Sequence, residues 1–142
     1  MPTGTPGIAY RLDAPLDLDA AIDLYRASTL GERRPVDDRS RMALMLKEAN
    51  LVITAWDGDL LVGISRAFTD HAFVTYLSDL AVRASHQRLG IGRELVRRTR
   101  EAAGRQATLV LLAAPAAEAY YPRVGFKHHP QAWVLREEDE LA

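Results

Sequence analysis

The part of this 142-residue chain best equipped for chemistry is Gln87-Arg88-Leu89-Gly90-Ile91-Gly92. It follows the strand-like run Tyr76 to Val82 and a short loop, Arg83 to His86, and it opens a helix-like pattern. The first backbone N–H groups of a helix lack internal partners and lie at the positive end of its dipole, so they stabilise an anion. Glycine lets a ligand come close to such a backbone, and a diphosphate suits that geometry. Two glycines at a helix start serve tight packing equally well, so the neighbouring pattern must decide. A dinucleotide-binding loop would need three glycines directly after the strand and an acidic residue about 20 residues on, and a Walker loop would end in Lys-Ser/Thr. Neither requirement is met.

Other reactive groups are few. There is no cysteine, which excludes a disulfide scaffold, thiolate metal ligands and a cysteine nucleophile. No serine is paired in sequence with an evident activating base, which disfavours a covalent acyl-enzyme. His128-His129 invites a metal reading, but adjacent strand residues point to opposite faces and no carboxylate cluster accompanies them, so no metal is expected. Arg93, Arg97, Arg98 and Arg100 read as a solvated helix face, with Arg88 and Arg93 available to phosphates. Trp56 and Trp133 read as core or cleft-wall residues. A net charge of −1 provides no global field for nucleic acid or acidic lipid, and no window is apolar enough to span a bilayer, so neither partner is expected. The first residues have no basic and then apolar leader pattern, which points to the cytoplasm.

The elements that position this loop are legible from periodicity. Ile8 to Leu12 alternates like a strand, and Leu16 to Leu30 carries apolar residues at helical spacing. Gly31 and Pro35 interrupt that helix, and a second, capped near Asp37, Asp38 or Ser40, ends near Asn50. Leu51 to Trp56 and Leu60 to Arg66 flank Asp57-Gly58, a pair that accepts the positive φ angles of a tight hairpin. Ala72 to Val82 reads as a fourth strand and Gly90 to Ala103 as an amphipathic helix stopped by Gly104. The apolar run Ala107 to Ala113 has the composition of a buried central strand. Pro115 opens a short helix through Tyr121, and Gly125-Phe126 starts another strand. With no internal repeat or linker, the expectation is one α/β domain over residues 1–142, with residues 1–7 and the acidic end solvated.

The loop and its surroundings resemble the acetyl-CoA motif of GNAT-type N-acetyltransferases, Gln/Arg-x-x-Gly-x-Gly/Ala after a strand ending in a hydrophobic triplet, here Leu80-Ala81-Val82. Downstream, Ala117-Glu118-Ala119-Tyr120-Tyr121-Pro122-Arg123-Val124-Gly125-Phe126 resembles the superfamily's Ala-x-x-aromatic-Tyr-x-x-apolar-Gly-Phe segment. The resemblance runs from Leu60 to Phe126, about half the chain. It implies a mixed, mostly antiparallel sheet flanked by helices, whose central parallel strands splay to admit the pantetheine arm like a borrowed strand. It further implies that Leu80, Ala81 and Val82 border that arm and that the backbone of Gln87, Arg88, Leu89, Gly90, Ile91, Gly92 and Arg93 holds the pyrophosphate.

The activity implied is direct transfer of the acetyl group of acetyl-CoA to a primary amine, on a small molecule or on a protein. Tyr121 falls where many members place a tyrosine that protonates the departing thiolate, a task its O–H can perform at neutral pH. Where some members carry a glutamate base this chain has Tyr76, a poor base, and Ala114 replaces a frequent asparagine. Asp79, Asp70 and His71 are nearby alternatives, but alternation puts Asp79 on the strand face opposite Tyr76 and each has a structural reading, so the base stays open. The two departures also motivate a rival reading, an acyl-CoA-binding module without turnover. Many relatives are dimers, so the resemblance allows a homodimer without indicating its interface.

Overall fold

Five strands pair in chain order in the computed structural model, which describes residues 7–142: β1 (Ile8–Leu12), β2 (Leu51–Asp57), β3 (Leu60–Thr69), β4 (Val74–Val82) and β5 (Thr108–Val110). The first four are antiparallel neighbours, and β5 runs parallel to β4. The expected solvated N-terminal stretch lies outside the described residues apart from exposed Gly7. Helices α1 (Leu18–Arg26) and α2 (Arg39–Glu48) precede β2, and α3 (Ile91–Ala103) connects β4 to β5. The chain divides into two compact units after Leu112.

Local chemistry explains the elements of the first unit. Asp17 accepts from the Ala20 N–H at 3.0 Å and Asp38 from the Arg41 N–H at 3.0 Å, capping α1 and α2. The first helix is shorter than its apolar spacing suggests. It stops at Arg26, and Thr29–Arg33 follows as a 3-10 turn capped by the Ser28 hydroxyl. Gly58 takes φ +60° in the hairpin, as the Asp-Gly signal requires. The next turn is built on Asp70, whose carboxylate accepts from the N–H groups of Phe73, Ala72 and Val74; these bonds lower its pKa to about 2.

The central strand β3 is buried almost throughout because both faces are covered. On one side Ile22, Leu24, Tyr25, Leu30 and Met42 pack with Ile64 and Ala81. On the other, Ile91 and Leu95 of α3 pack with Ile53, Ala55 and Val62, joined by Leu80 and Val82. Gly63 is needed at this contact, since a Cβ there would lie 3.0 Å from Leu95 Cδ1 and 3.2 Å from Ile91 Cγ2.

Two irregularities reset the alternation. Between β3 and β4, Arg66 faces Asp79 but Ala67 faces Leu77, so Ser78 is an extra residue on β4, a β-bulge. A second bulge lies where Ala55 faces Gly63 and Trp56 faces Leu61.

Beyond Ala107 the strand expectation is corrected. Only Thr108–Val110 pairs, with Val74–Tyr76, and Thr108 and Val110 are exposed because β5 is the edge of this sheet.

In the second unit a 3-10 turn, Pro115–Ala117, precedes α4 (Tyr120–Arg123). No strand begins at Gly125-Phe126, contrary to expectation. Gly125, at φ +104°, donates to Pro122 C=O at 3.2 Å, and Phe126 donates to Tyr121 C=O at 3.1 Å. These are the two bonds of a Schellman cap, and the Tyr121 and Phe126 rings, 5.4 Å apart, provide its apolar contact. His128 and His129 consequently lie outside any strand.

Candidate active site

The loop after β4 is held before it reaches the glycines. Arg83 donates its N–H to Val62 C=O at 2.8 Å, its guanidinium to Leu61 C=O, and an ion pair to Asp23 at 2.8 Å. Ala84 N–H reaches Ala27 C=O at 2.8 Å, and Gln87 Nε2 turns back to Val82 C=O at 3.0 Å. Arg88 at φ +64° and Gly90 at φ +84° are both left-handed, so the backbone turns sharply just before α3 begins. The first helical bond of α3 is Glu94 N–H to Gly90 C=O at 3.1 Å, so the N–H groups of Ile91, Gly92 and Arg93 precede the hydrogen-bonded ladder. Arg88, Leu89, Gly90 and Arg93 are exposed.

Glu94, buried in the same first turn, would repel an anion if unpaired. Arg97 takes both of its oxygens at 2.7 and 2.8 Å and Arg98 adds a bond at 2.7 Å, so its charge is compensated internally.

Val82, Ala81 and Leu80 lead into this cradle with their side chains in the two packing layers, which leaves backbone as the group they can offer. Because β5 pairs only with Val74–Tyr76, the outer edge of β4 from Leu77 to Val82 has no strand beside it among the described residues. A free edge running straight into an anion cradle fits a ligand with an amide-bearing arm and a diphosphate. Tyr121 belongs to the second unit, where its ring meets Tyr120 edge-on at 5.3 Å as well as Phe126.

The Ser78 bulge overturns the expected separation of Asp79 from Tyr76. Ser65, paired with Leu80, shares a hydrogen bond with Thr99 of α3 at 2.6 Å, so Leu80 and Leu77 face α3. Arg66, Phe68, Tyr76 and Asp79 therefore share the opposite face. Asp79 is fully buried there and accepts from Tyr25 Oη at 2.6 Å, Arg34 Nε at 2.6 Å and Arg66 Nε at 2.5 Å. Burial pushes its pKa up, but the hydrogen bond and charge of Arg66, the charge of Arg34 and the Tyr25 hydroxyl outweigh it and hold the carboxyl below its ordinary value. A carboxylate so satisfied is a poor proton acceptor, and Asp70, near 2, is no better.

The sequence reading of Asp79 as a polar group bonded to backbone or to an arginine agrees with this network, but which residues are its partners, Arg34, Arg66 and Tyr25, was not legible. Sequence reading missed a hydrogen-bonded chain beside the cradle: Ser85 Oγ lies 2.7 Å from His86 Nδ1, and His86 Nε2 lies 2.9 Å from Asp57. A serine is thus paired with an imidazole and a carboxylate, contrary to expectation. The pairing needs the β2–β3 turn to bring Asp57 to the loop.

The profile of the acetyltransferase (GNAT) domain matches residues 29–137. The chain belongs to the GNAT acetyltransferase family. Solved structures carry the same fold. A GNAT-family acetyltransferase from Streptococcus pneumoniae aligns with a TM-score of 0.69 at 24% identity, over 92% of this chain and 99% of its own. An aminoglycoside N-acetyltransferase in complex with CoA aligns with a TM-score of 0.70 at 15% identity, over 92% and 95%. An aminoglycoside acetyltransferase from an uncultured soil metagenomic sample, in complex with sisomicin, aligns with a TM-score of 0.68 at 19% identity, over 92% and 95%. No curated protein matches the chain. GNAT acetyltransferases use acetyl-CoA. Among the described residues of this GNAT chain no helix is long and apolar enough to cross a membrane, and no group of three or more His, Cys, Asp or Glu could hold a metal ion.

Proposed function

We propose that this chain, as one domain over residues 1–142, transfers the acetyl group of acetyl-CoA directly to a primary amine. The observation that carries the reading is the continuity of the free β4 edge, Leu77 to Val82, with the left-handed cradle at Arg88 and Gly90 and the open N-terminus of α3. In this reading the arm of acetyl-CoA lies along that edge and its diphosphate on the amides up to Arg93. The amine nitrogen attacks the thioester carbonyl, the C–S bond breaks, and the departing thiolate takes a proton from Tyr121, a role that rests on the motif resemblance. Small-molecule acceptors are favoured by the aminoglycoside acetyltransferases that share the fold.

Calorimetric titration of acetyl-CoA into the protein and a Gly90→Arg/Gly92→Arg variant tests the cradle. Binding by the wild type, lost in a variant with an unchanged circular dichroism spectrum, supports it, whereas equal binding by both refutes it. Release of CoA thiol that depends on an added amine separates the enzyme from a binding module without turnover.

A further inference from the structure

The sheet face turned away from α3 is left bare at one end. Phe68, Tyr76 and Val110 form a rung across β3, β4 and β5, since Tyr76 pairs with both of the others, and Val74 stands one step along on the same face. They are 38%, 37%, 43% and 41% exposed, an apolar floor where the rest of this face is covered by α1, α2 and the 3-10 turn. The other face beside this edge is covered by α3.

The charge at the head of this floor is unbalanced. Arg34 and Arg66 share the single carboxylate of Asp79, which leaves one net positive charge. Arg66 lies 5.5 Å over the Phe68 ring, and the Arg34 side chain remains 22% exposed. Glu32 and Arg33, the exposed charges of the same 3-10 turn, cancel. The floor positions themselves, Phe68, Tyr76, Val110 and Val74, carry no carboxylate to meet a polycation. We infer that the acceptor is an amine with an apolar or aromatic body and a carboxylate of its own, that is, an apolar α-amino acid. Its side chain rests on Phe68, Tyr76 and Val110, and its carboxylate meets the N–H groups that Arg34 has left after its Nε bonds Asp79 and its Nη1 and Nη2 donate to the Arg33 and Ser78 carbonyls at 2.8 Å. The inference rests on the acetyl-transfer reading and goes beyond it in naming the acceptor class.

The test is thiol release from acetyl-CoA with L-phenylalanine, L-leucine, L-phenylalaninamide and kanamycin, with the acetyl-CoA titration run on the same preparation. The two amino acids should exceed the amide and kanamycin in kcat/KM by about ten- to hundred-fold, the worth of one charge-assisted contact. Arg34→Gln should raise KM for L-phenylalanine but not for its amide, and Arg34→Lys should restore part of the difference. Arg34 also holds Asp79, so Val110→Asp, at an exposed edge position, provides the second variant: the added carboxylate should penalise L-phenylalanine relative to its amide. Equal use of acid and amide, preference for kanamycin, or no turnover of amino acids by protein that binds acetyl-CoA overturns the inference and leaves acetyl transfer standing. Failure to bind acetyl-CoA removes both.

Discussion

Replacing Asp79 by alanine should be among the most destabilising single changes in the first unit. The carboxylate is 1% exposed and Arg66, its partner at 2.5 Å, is 5% exposed, so the variant strands a guanidinium where water cannot solvate it. Breaking a buried pair in this way costs about 3–5 kcal/mol, a large part of the roughly 5–15 kcal/mol that holds a domain folded. For a chain of this length that is roughly a 10 °C fall in melting temperature or more. Much of the loss is the penalty of the orphaned charge, not the worth of the pair. A triple variant, Asp79→Leu/Arg66→Met/Tyr25→Phe, should therefore be more stable than Asp79→Ala, with the part-open Arg34 turning to solvent. The pH dependence has a definite sign. The folded carboxyl sits below its unfolded value, so its contribution is complete above about pH 4 and fades as pH falls through the folded value. Urea unfolding followed by circular dichroism at pH 7 and at acid pH reads all three quantities. An Asp79→Ala variant within about 1 kcal/mol of wild type, or a triple variant less stable than the single, would refute the reasoning.

Tyr121→Phe keeps both ring contacts and removes only the hydroxyl, so acetyl-CoA affinity should hold while kcat falls by about a hundred-fold or more; unchanged kcat would discard the tyrosine as proton donor. Ser85 stands hydrogen-bonded to His86 and Asp57, yet direct transfer predicts that intact-mass spectrometry after incubation with acetyl-CoA shows no acetyl adduct and that Ser85→Ala retains full turnover; an acetylated Ser85 would contradict the direct route. Gly63→Ala should cost about 1–3 kcal/mol in thermal unfolding, because the added methyl meets Leu95, Ile91 and Ala55 at 3.0, 3.2 and 3.3 Å; a neutral result would show that α3 can move off β3.

What could be read from the sequence was local. The hairpin was visible because Asp57-Gly58 needs only its own φ angles, α3 because its apolar side repeats within one helix, and the glycine turn that opens α3 because its residues are contiguous. Gly125-Phe126 was misread for the same reason: glycine before an aromatic suits the start of a strand, and only the Tyr121 spacing distinguishes a Schellman cap. The remaining features depend on partners far along the chain. Arg34 reaches Asp79 across 45 positions and Asp57 reaches His86 across 29, and neither separation leaves a periodic trace.

The Ser78 bulge matters most for function. Without it, strict alternation would place Tyr76 on the α3 face when Asp79 faces α1, and Phe68 would be left as the aromatic on the strands beside the two guanidiniums. One extra residue brings Tyr76 onto the face that Phe68, Arg66 and Asp79 share, just where β4 loses its parallel partner. The same insertion that conceals the acceptor face from a sequence reading is what builds it. Deleting Ser78 should therefore shift the strand register and disrupt the acceptor face while leaving the contiguous cradle residues, Arg88 to Arg93, in place.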